Sequence, residues 1–244
     1  LKDQGSLGVY DISYKISSQC YSFCNVLNNT FVPDFYIRLN NWTENSKKEL
    51  PEFLLKYFIT YLFYCICLSF FSYEIISLVL SQEFHFAINV TSILCIFFSF
   101  YFFQTVPVLV HLGKSLTVSK LTVLFFIISI IIAFPATYFF GIYGLAIGLA
   151  ISNLISAIIH LNTCQKNLEL EWDFKLIITS YLFLILSTCL IIILREIELV
   201  YFIRLVTKFS LLAVFVFYVH HNQIIDFKYY VNHVLKKIKI IKDD

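Results

Sequence analysis

Long uninterrupted runs of apolar residues constrain this chain more than any other feature of its sequence. A helix that crosses a bilayer needs about 20 mainly apolar residues, and seven stretches of the 244-residue chain meet that requirement. They are Gly8–Tyr36, Pro51–Leu80, Phe86–Val110, Leu121–Phe140, Leu145–Thr163, Phe174–Leu194 and Leu199–His220. The runs do not alternate between apolar and polar residues as barrel strands do. The sequence therefore predicts an all-α, polytopic membrane bundle of about seven transmembrane helices.

The composition excludes a soluble domain. Hydrophobic residues make up 59% of the chain and charged residues 14%, whereas a soluble domain has roughly 45–50% and about 25%. The net charge of +2 is too small to favour nucleic acid as a partner. The seven cysteines lie mostly inside apolar runs and form no CxxC pair, so no disulfide framework or metal site is expected.

Basic residues in the predicted loops set the orientation, because cytoplasmic loops carry an excess of Lys and Arg. Alternate loops place only Lys2 and Arg195 on one side of the membrane. The other side receives Arg38, Lys47, Lys48, Lys114, Lys120, Lys166, Lys175, Lys228, Lys236, Lys237, Lys239 and Lys242. We therefore expect a cytoplasmic C-terminus, with residues 223–244 as a basic cytoplasmic tail. The loop-like start and the absence of Met predict that the chain is a piece of a longer protein.

Polar residues follow one side of the first predicted helix. They recur at spacings of 4, 3, 4, 3 and 4 residues, which keeps them within an arc of about 80°. We call this set the polar face; its members are Asp11, Lys15, Ser18, Ser22, Asn25 and Asn29. The interpretation we favour is a helix that lines a water-filled cavity for a polar substrate. A helix lying flat at the membrane interface, or a polar strip buried between helices, remains the alternative.

Two further sets of residues stand out in the later helices. Gly144, Gly148, Ser152 and Ser156 repeat every four residues and predict a smooth ridge for close helix packing, after a turn at Gly141. In the last helix, Lys208 either faces a cavity and attracts an anionic group such as a phosphate, or extends to the membrane surface. Phosphate-binding loops, zinc-protease motifs and nucleophile elbows are absent from the sequence, so no catalytic residue and no cofactor is expected.

Two segments resemble the polysaccharide (O-antigen type) flippases of the multidrug/oligosaccharidyl-lipid/polysaccharide exporter superfamily. The run from Leu7 to Ser17 is similar to the family's G-x-Y-x-x-A-x-K/R-I pattern, and its helix continues to Phe31-Val32-Pro33. The run from Phe140 to Ser152 is similar to the family's F-G-x-x-G-A-A-x-A-x-x-x-S hairpin. Leu145 and Gly148 replace two of the usual alanines. The resemblance covers only the family's C-terminal portion.

The resemblance implies one lobe of a two-lobed exporter, formed by residues 1–164, followed by two trailing helices over residues 165–222. It implies a flippase that moves an undecaprenyl-diphosphate-linked oligosaccharide across the bacterial cytoplasmic (inner) membrane by alternating access. The substrate would contact the polar face and Lys208, with Lys15 attracting the pyrophosphate. Other membrane proteins of polysaccharide assembly are the further partners that the family implies.

Two other functions are compatible with the sequence. One is a drug exporter or a peptidoglycan-precursor flippase of the same architecture, which differs only in substrate. The other is an integral-membrane enzyme, such as a polysaccharide polymerase or a lipid-linked glycosyltransferase. An enzyme of that kind is expected to carry charged residues in a sizeable external loop, whereas the external loops predicted here are short. We therefore expect a transporter and not an enzyme.

Overall fold

The computed structural model describes residues 4–105, 108–197 and 200–222, and the regular structure within these ranges is entirely helical. The helices are α1 (Gln4–Ser17), α2 (Gln19–Asn40), α3 (Ser46–Phe70), α4 (Ser72–Val79), α5 (Ala87–Ser99), α6 (Tyr101–Thr105), α7 (Val108–His111), α8 (Ser115–Leu168), α9 (Phe174–Glu196) and α10 (Tyr201–His221). Lys2 and the predicted basic tail, residues 223–244, lie outside the described residues.

Five helical segments of the described chain are long and apolar enough to cross a membrane. They are Ser46–Phe70, Ala87–His111, Ser115–Leu168, Phe174–Glu196 and Tyr201–His221. For the described residues the prediction of an all-helical chain is confirmed, and the apolar helices are consistent with a multi-pass membrane protein. Seven spans are predicted, whereas five segments meet this criterion. The difference arises because α8 is counted as one segment, and because α1 is too short and α2 too polar to be counted.

Helix α8 is a hairpin and not one straight rod. A straight helix of its 54 residues would be about 80 Å long, well over twice the thickness of the hydrocarbon core. Gly141 interrupts it with φ 60° and ψ −135°, a conformation open to glycine because it has no Cβ. At the far end, Lys114 donates a hydrogen bond to Asn167. Residues 115–140 and 142–168 therefore run antiparallel, with the turn at the predicted glycine.

Small residues allow the two halves of the hairpin to touch. A Cβ built on Gly144 would lie 1.9 Å from the carbonyl oxygen of Ala136, and one on Gly148 would lie 2.7 Å from the Cα of Ala133. Both neighbours are backbone atoms, which cannot move aside as a flexible side chain can. The rest of the predicted ridge, Ser152 and Ser156, is also buried.

The first predicted helix is present as α1 and α2, which join at Ser18. Ser18 keeps helical torsions (φ −64°, ψ −12°), and its N–H donates to the carbonyl oxygen of Tyr14 at 2.8 Å. The hydroxyl groups of Ser13 and Ser17 donate to carbonyl oxygens one turn earlier, which is a common cause of local helix bending. Because helical torsions and backbone hydrogen bonds continue through Ser18, the two helices form a nearly continuous rod.

The prediction that the next helix begins at Pro51 is wrong, because α3 begins at Ser46. Proline has no N–H, so the carbonyl oxygen of Lys47, four residues earlier, receives no helical hydrogen bond from it. The N–H of Glu171 donates to that oxygen at 2.9 Å instead. Lys47 Nζ also lies 2.8 Å from the Glu169 carboxylate, and this hydrogen bond and charge lower the pKa of Glu169. These contacts join the start of α3 to the loop after α8, and the orientation argument places both on the same side.

Helix α5 lies at the centre of the bundle and packs against α1, α3 and α8. It ends at Ser99, with no Pro or Gly to stop it, and α6 starts two residues later. Side chains from three other helices bind the carbonyl oxygens at this break. Asn153 Nδ2 donates to Phe97 O at 2.6 Å, Tyr61 Oη to Phe98 O at 2.7 Å and Tyr181 Oη to Ser99 O at 3.1 Å. The break is thus stabilised by tertiary hydrogen bonds, which satisfy carbonyl oxygens that have no water to bind inside the bundle.

Candidate functional site

The polar face lies on the open surface of the rod formed by α1 and α2. Asp11, Lys15, Ser22 and Asn29 are exposed, and Ser18 and Asn25 are half-buried. The buried side of the same rod includes Ser13, Ser17, Cys20, Cys24 and Phe31, and at about 100° per residue it lies nearly opposite. The polar side chains are therefore not enclosed by the neighbouring helices of the described chain.

One ion pair on this face joins Asp11 to Lys15. The Nζ atom of Lys15 lies 2.6 Å from a carboxylate oxygen of Asp11, with the side chains 72% and 57% exposed. An exposed pair of this kind contributes about 0–1 kcal/mol to stability. Both groups can therefore exchange their mutual contact for a polar ligand at little cost to the fold.

A row of tyrosine rings runs beside the polar face, and sequence reasoning missed it. Tyr14 and Tyr21 are 42% and 40% exposed. The Tyr14 ring lies 6.1 Å from that of Tyr10, and the Tyr21 ring lies 5.4 Å from that of Tyr101 on α6. We call Tyr10, Tyr14, Tyr21 and Tyr101 the tyrosine row. Its signal in the sequence was the spacing of four and seven residues between the first three tyrosines, which places them on one flank of a helix.

The interrupted helix α5–α6 supports the tyrosine row from behind. The Tyr14 ring packs 5.5 Å from that of Phe98, whose carbonyl oxygen is bound by Tyr61. The Tyr101 ring also contacts Phe97, at 5.4 Å. The row is therefore fixed to the most buried part of the bundle and is not carried on a loop.

Lys208 does not join the polar face. Its ammonium group binds both carboxylate oxygens of Glu74, and the whole residue is 3% exposed. No hydrogen bond or ion pair connects Lys208 with α1 or α2 in the part of the chain that the structure describes. The predicted cavity residues therefore lie in two separate places. Six are on the rod of α1 and α2, and Lys208 is on α10, where it is paired with the Glu74 carboxylate.

Acidic, basic, hydroxyl and amide side chains lie next to aromatic rings on this surface of α1 and α2. Within the described ranges, no group of three His, Cys, Asp or Glu side chains is placed to hold a metal ion. A shallow depression lies beside Asp11 and is lined by Leu7, Gly8, Tyr10 and Tyr14. The arrangement combines hydrogen-bonding groups, one ion pair and aromatic rings along one helical surface.

Comparison with known proteins finds no matching family model, no similar curated protein and no similar solved structure.

Proposed function

We propose that this chain belongs to a membrane transporter that moves a lipid-linked oligosaccharide across the bilayer by alternating access. The observation that carries the proposal is the open polar face on a rod that packs against an otherwise apolar bundle. Exposed Asp, Lys, Ser and Asn side chains are costly beside lipid and are expected to face water or a polar ligand.

The length of the polar face fits a path across the membrane. From Asp11 to Asn29 the helix rises about 27 Å, close to the hydrocarbon thickness of about 30 Å. A sugar chain carries many hydroxyl groups, which need donors and acceptors along that distance. The lipid part of such a substrate can remain in the bilayer while its sugars follow the polar face.

The tyrosine row adds a reason to favour a carbohydrate. One face of a pyranose ring presents weakly positive C–H groups, and these are attracted to the negative face of an aromatic ring. Binding sites for small polar molecules commonly combine aromatic surfaces with a few polar groups. Rings and hydrogen-bonding groups lie side by side here, as a sugar with one apolar face and a polar rim requires.

The proposal includes a topology of seven spans. The rod of α1 and α2 is one, and α8 counts as two because it folds back at Gly141; the remaining apolar segments supply four. With the basic residues facing inward, the C-terminus is cytoplasmic. We assign the membrane to a bacterial cytoplasmic membrane and the substrate to the undecaprenyl-diphosphate type on the resemblance to polysaccharide flippases.

The test replaces the charged residues of the polar face in the full protein, in the cell that makes it. We expect Asp11→Ala and Lys15→Ala to abolish surface polysaccharide while the protein stays in the membrane at its normal level. The double variant Lys47→Ala/Glu169→Ala is the control, because it removes an ion pair away from this face. Normal polysaccharide in both Asp11→Ala and Lys15→Ala would contradict the proposal.

A further inference from the structure

Three cations meet at the end of the bundle opposite Lys47. Arg195 is in the last turn of α9, and Arg204 and Lys208 are in the first two turns of α10. The carboxylates of Glu74 and Glu196 are the acidic groups among them. We call these five residues the outer cluster. Within the described chain it has one more positive charge than negative charges.

The two carboxylates already have partners inside the outer cluster. Glu74 accepts two hydrogen bonds from Lys208, at 2.6 and 2.7 Å. Glu196 accepts one from Asn89 Nδ2 at 2.7 Å, and Asn89 Oδ1 in turn accepts one from Arg195 Nη1 at 2.5 Å. The excess positive charge therefore belongs to the two arginines and not to Lys208.

Arg204 has aromatic rings beside it and forms no ion pair with a carboxylate among the residues that the structure describes. Its guanidinium carbon lies 5.0 Å from the Tyr73 ring centroid and 5.8 Å from that of Tyr201. Its Nε atom and the Nη2 atom of Arg195 are buried without a hydrogen-bond acceptor in the described chain. The Arg195 guanidinium lies 5.9 Å from the same Tyr73 ring, so the two arginines are neighbours with unused donors.

These features match an anion that has several acceptor oxygens. A guanidinium group presents its donors in a planar fork that fits a phosphate, and one phosphodiester carries the single negative charge that balances the outer cluster. Exposed apolar side chains surround Arg204 on α10, among them Phe202 at 68% and Phe209 at 55% exposure. An anion that approaches over this surface is best carried on a lipid.

We propose that Arg195 and Arg204 form a binding site for the phosphate group of a lipid. Tyr73 holds both guanidinium groups in place, and the pairing of Lys208 with Glu74 keeps that lysine from competing. The site is separate from the polar face and does not depend on the proposed transport function.

The test measures lipid binding to the full protein purified in detergent. The probes are dioleoyl phosphatidylglycerol, dioleoylglycerol (which lacks the phosphate) and inorganic phosphate, and native mass spectrometry records which of them stay bound. We expect the tightest binding for phosphatidylglycerol, and about a tenfold loss of affinity in Arg204→Gln from the loss of charge-assisted hydrogen bonds. Arg204→Lys should recover part of the affinity, because it keeps the charge.

Arg38→Gln is the matched control. Arg38 also lies over an aromatic ring, 4.6 Å from the Phe53 centroid, but in α2, where basic residues predict the opposite membrane side. Replacement of Arg38 should leave the affinity for phosphatidylglycerol unchanged. Circular dichroism and gel filtration establish that Arg204→Gln is folded before its affinity is compared.

Three results would overturn the proposal. The first is equal affinity for phosphatidylglycerol in the original protein and in folded Arg204→Gln. The second is an equal loss in Arg38→Gln, and the third is complete displacement of the lipid by inorganic phosphate, which would assign the site to a free anion. None of these results bears on the Asp11 and Lys15 variants, so the two proposals fail separately.

Discussion

The ammonium group of Lys208 donates hydrogen bonds to both carboxylate oxygens of Glu74, at 2.6 and 2.7 Å. The two residues are 134 positions apart in the sequence, and their side chains are 4% and 22% exposed. The pair joins α10 to α4, and the two opposite charges neutralise each other. Because each charge depends on the other, the pair should behave as a unit when either residue is changed.

We expect Glu74→Leu to lower the free energy of unfolding by about 3 kcal/mol, because Lys208 is then left as a buried unpaired charge. Lys208→Met should lower it less, because the Glu74 side chain is 22% exposed. The double variant Glu74→Leu/Lys208→Met should lower the free energy of unfolding much less, because neither charge then remains. Unfolding in detergent, analysed as a double-mutant cycle, measures the coupling. The exposed pair Asp11–Lys15 is the control and should show a coupling of about 0–1 kcal/mol. Additive effects at Glu74 and Lys208 would contradict this interpretation.

The close packing of the α8 hairpin predicts that a methyl group added at Gly144 lowers the stability of the protein. Gly144→Ala places a Cβ 1.9 Å from a backbone carbonyl oxygen, so the two halves must separate, at a cost of about 1–3 kcal/mol. The measurement is the thermal midpoint of the purified protein. Gly8→Ala is the matched control, since nothing lies within 4 Å of its added Cβ and alanine favours a helix. An unchanged midpoint in Gly144→Ala would show that the halves are not packed as described.

The tyrosine row predicts that aromatic rings, and not hydroxyl groups, matter for a sugar substrate. Tyr14→Ala and Tyr21→Ala should each lower the amount of surface polysaccharide by about 2- to 10-fold, because a lost aromatic contact is worth about 0.5–1.5 kcal/mol. Tyr14→Phe and Tyr21→Phe keep the ring, and these variants should retain most of the surface polysaccharide. Tyr138, which is 80% exposed on the α8 hairpin, is the control ring, and Tyr138→Ala should have no effect. An equal loss in Tyr138→Ala would argue for a general effect on folding.

Local sequence patterns were sufficient for part of this architecture. Apolar runs of helical length predicted an all-helical chain, and the glycine at position 141 predicted the turn of the α8 hairpin, because both signals act within a few residues. The regular spacing of Asp11 to Asn29 predicted one polar side of the first helix. Each of these features depends on neighbours along the chain, which the sequence displays directly.

Features that depend on distant residues could not be predicted in the same way. The break after Ser99 has no Pro or Gly beside it and is stabilised by Tyr61, Asn153 and Tyr181, from three other helices. For Lys208 the sequence predicts a side chain that either faces a cavity and attracts an anion or extends to the membrane surface. It does not reveal the pairing with Glu74, which is 134 positions away. The start of α3 was misplaced for a related reason, since the carbonyl oxygen that Pro51 leaves free is bound by Glu171. The break after Ser99, the environment of Lys208 and the start of α3 all depend on hydrogen bonds between residues that are distant in the sequence.

The most direct test of the account is whether water reaches the polar face in the intact protein in its membrane. After the exposed native Cys189 is replaced by serine, single cysteines are placed at Ser22 and Asn25 and treated with a polar maleimide. Leu182, which is 50% exposed on the apolar surface of α9, supplies the control position. We predict labelling at Ser22 and Asn25 and none at Leu182. Labelling at Leu182 alone, or at none of the three positions, would contradict the claim that the polar face borders a water-filled path.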